Sequence, residues 1–193
     1  MTPNIIKESA RGYQPLQITD VLMQERKIFL VEEVNTETSS DLIKQLLFLE
    51  NEAPGEEIKL YINSPGGDVH SGLAVYDCIR LISSPVTTIC IGTSASMGAI
   101  LYIAGEKRLM LPHSRMMIHD PSFSGGNLGG KKPLEIQTEL QTLIDVRTQL
   151  CDIISERTGK TVEEIYEVTK TDTYFNADEA IEFGLATEKI NKL

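Results

Sequence analysis

From residue 81 to residue 105 the chain carries no charged side chain, in a sequence of 193 residues where 24% are Asp, Glu, Lys or Arg. Such a run fits only a membrane span or a buried core. A span needs about 20 predominantly apolar residues. This run is long enough, but Pro85 and Gly92 interrupt it and its character changes midway. Residues 86–91 (VTTICI) are β-branched and short, as in a buried strand. Residues 97–104 (MGAILYIA) suit a helix, and the small residues 92–96 (GTSAS) form the turn between them. The pattern predicts a buried strand, turn and helix, and no membrane association.

Strand and helix patterns alternate around it. Residues 27–31 (KIFLV) and 58–62 (IKLYI) read as strands. Leu42, Leu46 and Leu49 line one face of a helix over 39–49, and another helix follows the Ser64-Pro65-Gly66-Gly67 turn to about Ile82. Met116 to Ile118 is a further short strand ending at His119-Asp120-Pro121. Residues 124–132 (SGGNLGGKK) form a glycine-rich stretch, before a helical pattern from Pro133 to about Arg157 whose apolar stripe is interrupted by Arg147. That helix is either an ordinary amphipathic helix or one that reaches another subunit. Thr161-Val162-Glu163-Glu164 is a capping box, and Asn176 opens a final helix that Gly184 stops. This alternation predicts an α/β domain with a mainly parallel sheet. Residues 1–20, broken by Pro3, Gly12 and Pro15, read as a mobile N-terminal arm, and 21–193 as a single domain.

The net charge of −10 argues against a nucleic-acid partner, which needs clustered cations. Cys78, Cys90 and Cys151 lack metal or redox spacing and read as reduced core thiols; with no apolar leader near the N-terminus, the expected location is the cytoplasm. No metal-ligand cluster, Walker A loop or dinucleotide fingerprint is present, so no cofactor is expected.

Parallel sheets place ligands at the carboxyl ends of their strands. Two turns fall there, residues 64–67 and 92–98. The diglycine offers backbone N–H groups suited to an oxyanion, although by itself a plain tight turn is the better explanation. Ser94 and Ser96 precede a helix, where serine is most often an N-cap, and neither completes G-x-S-x-G. His70, His113 and His119 are the only candidate imidazole bases, and Asp172 lies where it could orient one.

Together, YINSPGG (61–67), ASMGA (95–99), SRMMIHDP (114–121) and the order Ser, His, Asp resemble the proteolytic subunits of the Clp protease (ClpP) family from about Arg26 to Ile190. The resemblance implies a crotonase-like α/β ClpP fold with a long handle helix over 133–157 for ring-to-ring contact, and an N-terminal arm at the axial gate. It implies a serine endopeptidase with Ser96 as nucleophile, His119 as base, Asp172 as the orienting acid, and the Gly67 and Met97 amides as oxyanion hole. It further implies a homo-oligomer of two stacked heptameric rings, a tetradecamer, that receives unfolded protein from a hexameric Clp-class AAA+ ATPase. ATP is then used by that partner and the subunit needs no cofactor. Three places depart from the family pattern: Asp68-Val69-His70-Ser71 after the diglycine, Asp120 after the base where glutamine is usual, and a longer glycine stretch followed by Lys131 and Lys132. Three other readings compete: an acyl-CoA enzyme using the same kind of oxyanion hole, a Ser/Lys peptidase with Lys131 or Lys132 as base, and a catalytically silent or partner-activated ring subunit scaffolding an active paralogue.

Overall fold

A computed structural model describes residues 4–9, 12–123 and 130–192. The chain is a mixed α/β protein: among the described residues, nine strands and seven helices. The expected α/β class and mainly parallel sheet are found. Strands β3 (Lys27–Leu30), β4 (Ile58–Ser64), β5 (Val86–Ala95), β6 (Lys107–Met110) and β9 (Glu188–Lys189) lie side by side in that order, all parallel. β7 (Arg115–Ile118) runs parallel to the far end of β5, and β8 (Thr173–Phe175) pairs antiparallel with β7.

The uncharged run is β5 followed by α4 (Met97–Ile103), and all seven residues of α4 are buried. β4 buries Ile58, Leu60 and Ile62 on one face and carries Lys59, Tyr61 and Asn63 on the other, while β5 is buried on both faces from Val86 to Cys90. Among the described residues, no helix is long and apolar enough to cross a membrane. One expectation is corrected: residues 92–95 are not a turn. β5 continues through them, pairing with β6 over Thr87–Cys90 and with β7 over Thr93–Ala95. Backbone pairing satisfies these small residues, and the chain turns only at Ser96.

α2 (Thr36–Glu52) begins at Asn35, whose side chain accepts from the Glu37 and Thr38 amides, and it buries Leu42, Leu46 and Leu49. α3 (Val69–Leu81) is capped by Asp68 through the Ser71 amide. α5 (Pro133–Thr158) buries Leu150, Cys151 and Ile154 in its second half and exposes Leu134, Leu140 and Ile144 in its first. Its end is pinned under α4, because Arg157 donates to the Ile103 and Gly105 carbonyls, each at 2.7 Å. There a cation meets the carboxyl end of a helix dipole. α6 (Val162–Thr169) and α7 (Ala177–Phe183) start at Thr161 and Asn176 as the sequence indicates.

The N-terminal segment holds more regular structure than its breakers suggest. β1 (Asn4–Ser9) and β2 (Gly12–Gln17) form an antiparallel hairpin, followed by α1 (Ile18–Gln24). Pro15 is tolerated because each strand of a two-stranded hairpin has a free edge. Of the glycine-rich stretch, residues 124–129 lie outside the described residues.

Candidate active site

Two strand registers bring the candidate residues together. β5 pairs with β7 through Ala95 and Met117, so Ser96 lies one residue beyond the last pair, its amide donating to the Met117 carbonyl at 2.8 Å. β7 pairs with β8 through Ile118 and Thr173, so His119 and Asp172 occupy the next opposed positions. Residues far apart in sequence thus become neighbours across three strand ends.

Ser96 has φ 53° and ψ −122°, at the step from strand to helix. Non-glycine residues seldom adopt this conformation, which costs on the order of 1–3 kcal/mol. Its side chain makes no capping bond to α4. Instead Ser96 Oγ lies 2.8 Å from His119 Nε2. His119 Nδ1 lies 3.4 Å from Asp172 Oδ1 on the opposite side of the ring. A neutral imidazole with its proton on Nδ1 satisfies both contacts: Nδ1–H faces the carboxylate, and Nε2 accepts from the serine hydroxyl.

The diglycine lies against the serine turn. A Cβ on Gly66 would come within 2.6 Å of the Ala95 carbonyl oxygen and 2.8 Å of the Met97 nitrogen, and one on Gly67 within 2.1 Å of the Val34 carbonyl oxygen. Both have positive φ, so glycine is required twice over. Ser64 sets the turn, donating to the Glu32 carbonyl and accepting from the Gly66 amide. Val34 bridges Gly67 by accepting from the Asp68 amide and donating to the Gly66 carbonyl, which leaves the Gly67 N–H off the ladder. The Met97 N–H is the first of α4, where helical amides have no intrahelical acceptor. The Met97 amide thus adjoins the serine directly, and Gly66, the residue before Gly67, packs against the same turn.

Beside Ser96 is a small pocket of about 30 Å³, walled by Val69, Met97, Ile100, Ile118, Leu150 and Ile154. Its lining is mainly apolar, and its volume is about that of one water molecule.

Of the other candidates, Ser94 is buried within β5, His70 is exposed on the first turn of α3, and His113 is exposed in the turn before β7. Lys131 pairs with Glu139, and the group beside Ser96 is an imidazole. The three cysteines are free thiols; burial pushes all three upward in pKa, away from thiolate character. Sequence reasoning missed β8, the strand that presents Asp172. Its signal was the short β-branched and aromatic run Thr173-Tyr174-Phe175 directly after that residue.

Compared with known protein families, the chain is matched over residues 10–192 by the family model described as Clp protease.

Proposed function

Because this chain belongs to the Clp protease family, a family of peptide-bond hydrolases, we propose that it is a serine endopeptidase acting through Ser96, His119 and Asp172. The observation that supports this most is the line of contacts, 2.8 Å from serine to imidazole and 3.4 Å from imidazole to carboxylate. In the proposed cycle His119 Nε2 takes the Ser96 proton as Oγ attacks the scissile carbonyl. The Gly67 and Met97 amides hold the oxyanion. His119 then returns the proton to the leaving amine, and a water activated by the same nitrogen releases the acyl group. Asp172 keeps the ring in the required tautomer and stabilises the imidazolium. One oxyanion donor contributes roughly 2.7–4 kcal/mol to such a transition state.

The apolar surface beside Ser96 favours an uncharged side chain on the residue before the scissile bond. The finer reading follows the family: subunits in two stacked seven-membered rings, α5 carrying contact between rings, the N-terminal hairpin at the axial entrance, and unfolded chains delivered by a Clp-class AAA+ ATPase in the cytoplasm. In this reading the subunit itself uses no cofactor, and nucleotide is consumed by the partner. The half-exposed first half of α5, with Leu134, Leu140 and Ile144 uncovered, supports a role in assembly.

The test is hydrolysis of short fluorogenic peptides by the purified chain, followed by an unfolded protein substrate with and without an AAA+ partner. Peptide cleavage alone, with protein cleavage only in the partner's presence, is the expected result. A folded, assembled chain that cleaves neither would favour the scaffolding subunit.

A further inference from the structure

Two features of the sequence stand outside this chemistry: Asp120, the acid directly after His119, and Arg147, the cation that interrupts the apolar stripe of α5. The structure brings them together. Asp120 Oδ2 lies 2.9 Å from Arg147 Nε, and the Arg147 guanidinium sits over the Tyr166 ring of α6, 4.3 Å from its centroid. The other carboxylate oxygen accepts from the Thr169 hydroxyl at 2.6 Å, while the Asp120 amide donates to the Thr169 carbonyl at 2.7 Å. Thr169, the last residue of α6, is buried.

These contacts close a short ring of chain. Asp120 is one residue past His119, and Thr169 is three residues before Asp172. The intervening loop is folded back by the Thr173 hydroxyl, which donates to the Val168 carbonyl at 2.7 Å. The separation of imidazole and carboxylate is therefore set at this junction. A carboxylate can accept from Thr169 with one oxygen and pair with Arg147 with the other; an amide side chain would turn an N–H₂ toward the guanidinium or toward Thr169.

We propose that Asp120 and Arg147 are positioning residues, whose ion pair, together with Thr169, holds the Asp172 loop against His119 and ties it to α5. The inference rests on the reading that Ser96, His119 and Asp172 work together. Neither residue touches the reacting atoms, so its effect passes through the base–acid contact.

The charged groups around His119 make the test decisive. Asp172 is the acid that faces the ring, and Asp120, the residue after His119 in the chain, is paired with Arg147. Cys151, which also faces Asp120 and Arg147 from α5, is neutral because burial pushes its thiol up to about 11. Asp120→Asn, Arg147→Met and the double variant would be compared with the unaltered protein by peptide kcat and KM and by NMR titration of the His119 ring. Each single change is expected to lower kcat on the order of 10-fold with little change in KM, and the double to lose no more than either single. Arg147→Lys should recover part of the loss.

Both single changes should also move the His119 titration to lower pH, because the imidazolium loses its close carboxylate. A purely electrostatic role gives opposite movements, down for Asp120→Asn and up for Arg147→Met. A merely structural role lowers the melting temperature and leaves the titration in place. Opposite or absent shifts, or losses that add in the double variant, would overturn the proposal. If the unaltered protein failed to turn over peptide, the peptidase reading would fall by itself. The joint downward shift, or its absence, would still decide the positioning.

Discussion

Ser96 and His119 meet at 2.8 Å, whereas Asp172 stands 3.4 Å from the other face of the same ring with its side chain 59% exposed, against 26% for His119. The serine belongs to the stretch of chain that the core determines most strongly. β5 is hydrogen-bonded on both sides, α4 is wholly buried behind it, and the diglycine fits only if the strand-to-helix step keeps its conformation. The aspartate stands on a short loop between α6 and a three-residue strand, held by polar contacts at Thr169 and Thr173. Packing fixes the serine against the imidazole, and hydrogen bonds fix the aspartate. The two halves should therefore fail differently.

The largest effect falls on the packed half. Ser96→Ala or His119→Ala should reduce peptide hydrolysis by roughly 10⁴–10⁶-fold without unfolding the protein, as steady-state kinetics and a thermal melt would show. Ser96→Ala changes little besides the hydroxyl, so any loss of assembly would tie the serine to structure as well. Asp172→Asn should cost less, on the order of 10²–10⁴-fold, since it removes an exposed partner already at long range. A loss equal to that of Ser96→Ala would mean that the acid is held far more tightly than its exposure implies.

Gly66→Ala places a methyl against the Ala95 carbonyl and Met97 nitrogen at a positive φ. It should destabilise by about 1–3 kcal/mol and lower Tm by several degrees. It should also depress kcat, because it displaces the turn that carries Ser96. A variant of full stability with lost activity would separate oxyanion geometry from packing.

The smallest effect belongs to a contact remote from both halves. Glu50 accepts from the Ser83 hydroxyl and from the Ser83 and Ser84 amides, which hold its carboxyl down to about 2. A folded-state value below the ordinary 4.5 means that its contribution is complete above pH 4.5 and is lost as pH falls toward 2. Glu50→Gln should flatten that limb of the stability profile and leave peptide hydrolysis unchanged. A change in kcat would show that the α2–β5 corner communicates with the site.

The same contrast accounts for what the sequence revealed. The strand and helix around Ser96 were legible because burial on all sides leaves an uncharged, β-branched and then helical record. α5 was legible to within a residue at each end, since the helical pattern from Pro133 to about Arg157 meets a helix over Pro133–Thr158. β6 was not, since it opens with two charged residues, the exposed Lys107 and the half-buried Arg108, and only its place beside β5 makes it a strand. β8 and β9 are too short for a period to emerge. The N-terminal hairpin exposes Ile6 and Tyr13 and includes Pro15, so it left no pattern of burial. In the site, spacing alone left Ser94 against Ser96 and His70 and His113 against His119, and the family resemblance chose among them. The positive φ of Ser96 and the register between β7 and β8 are consequences of pairing partners distant in the chain. No local pattern encodes them.

The central claim is that Ser96 is a nucleophile activated by His119. The most direct measurement treats the purified protein with a serine-reactive fluorophosphonate and maps the adduct by intact mass and peptide analysis, with Ser96→Ala and His119→Ala alongside. A single adduct on Ser96, absent from Ser96→Ala and strongly slowed in His119→Ala, is the predicted result. A well-folded protein that takes up no label, or labels Ser96 equally fast without the imidazole, would contradict it.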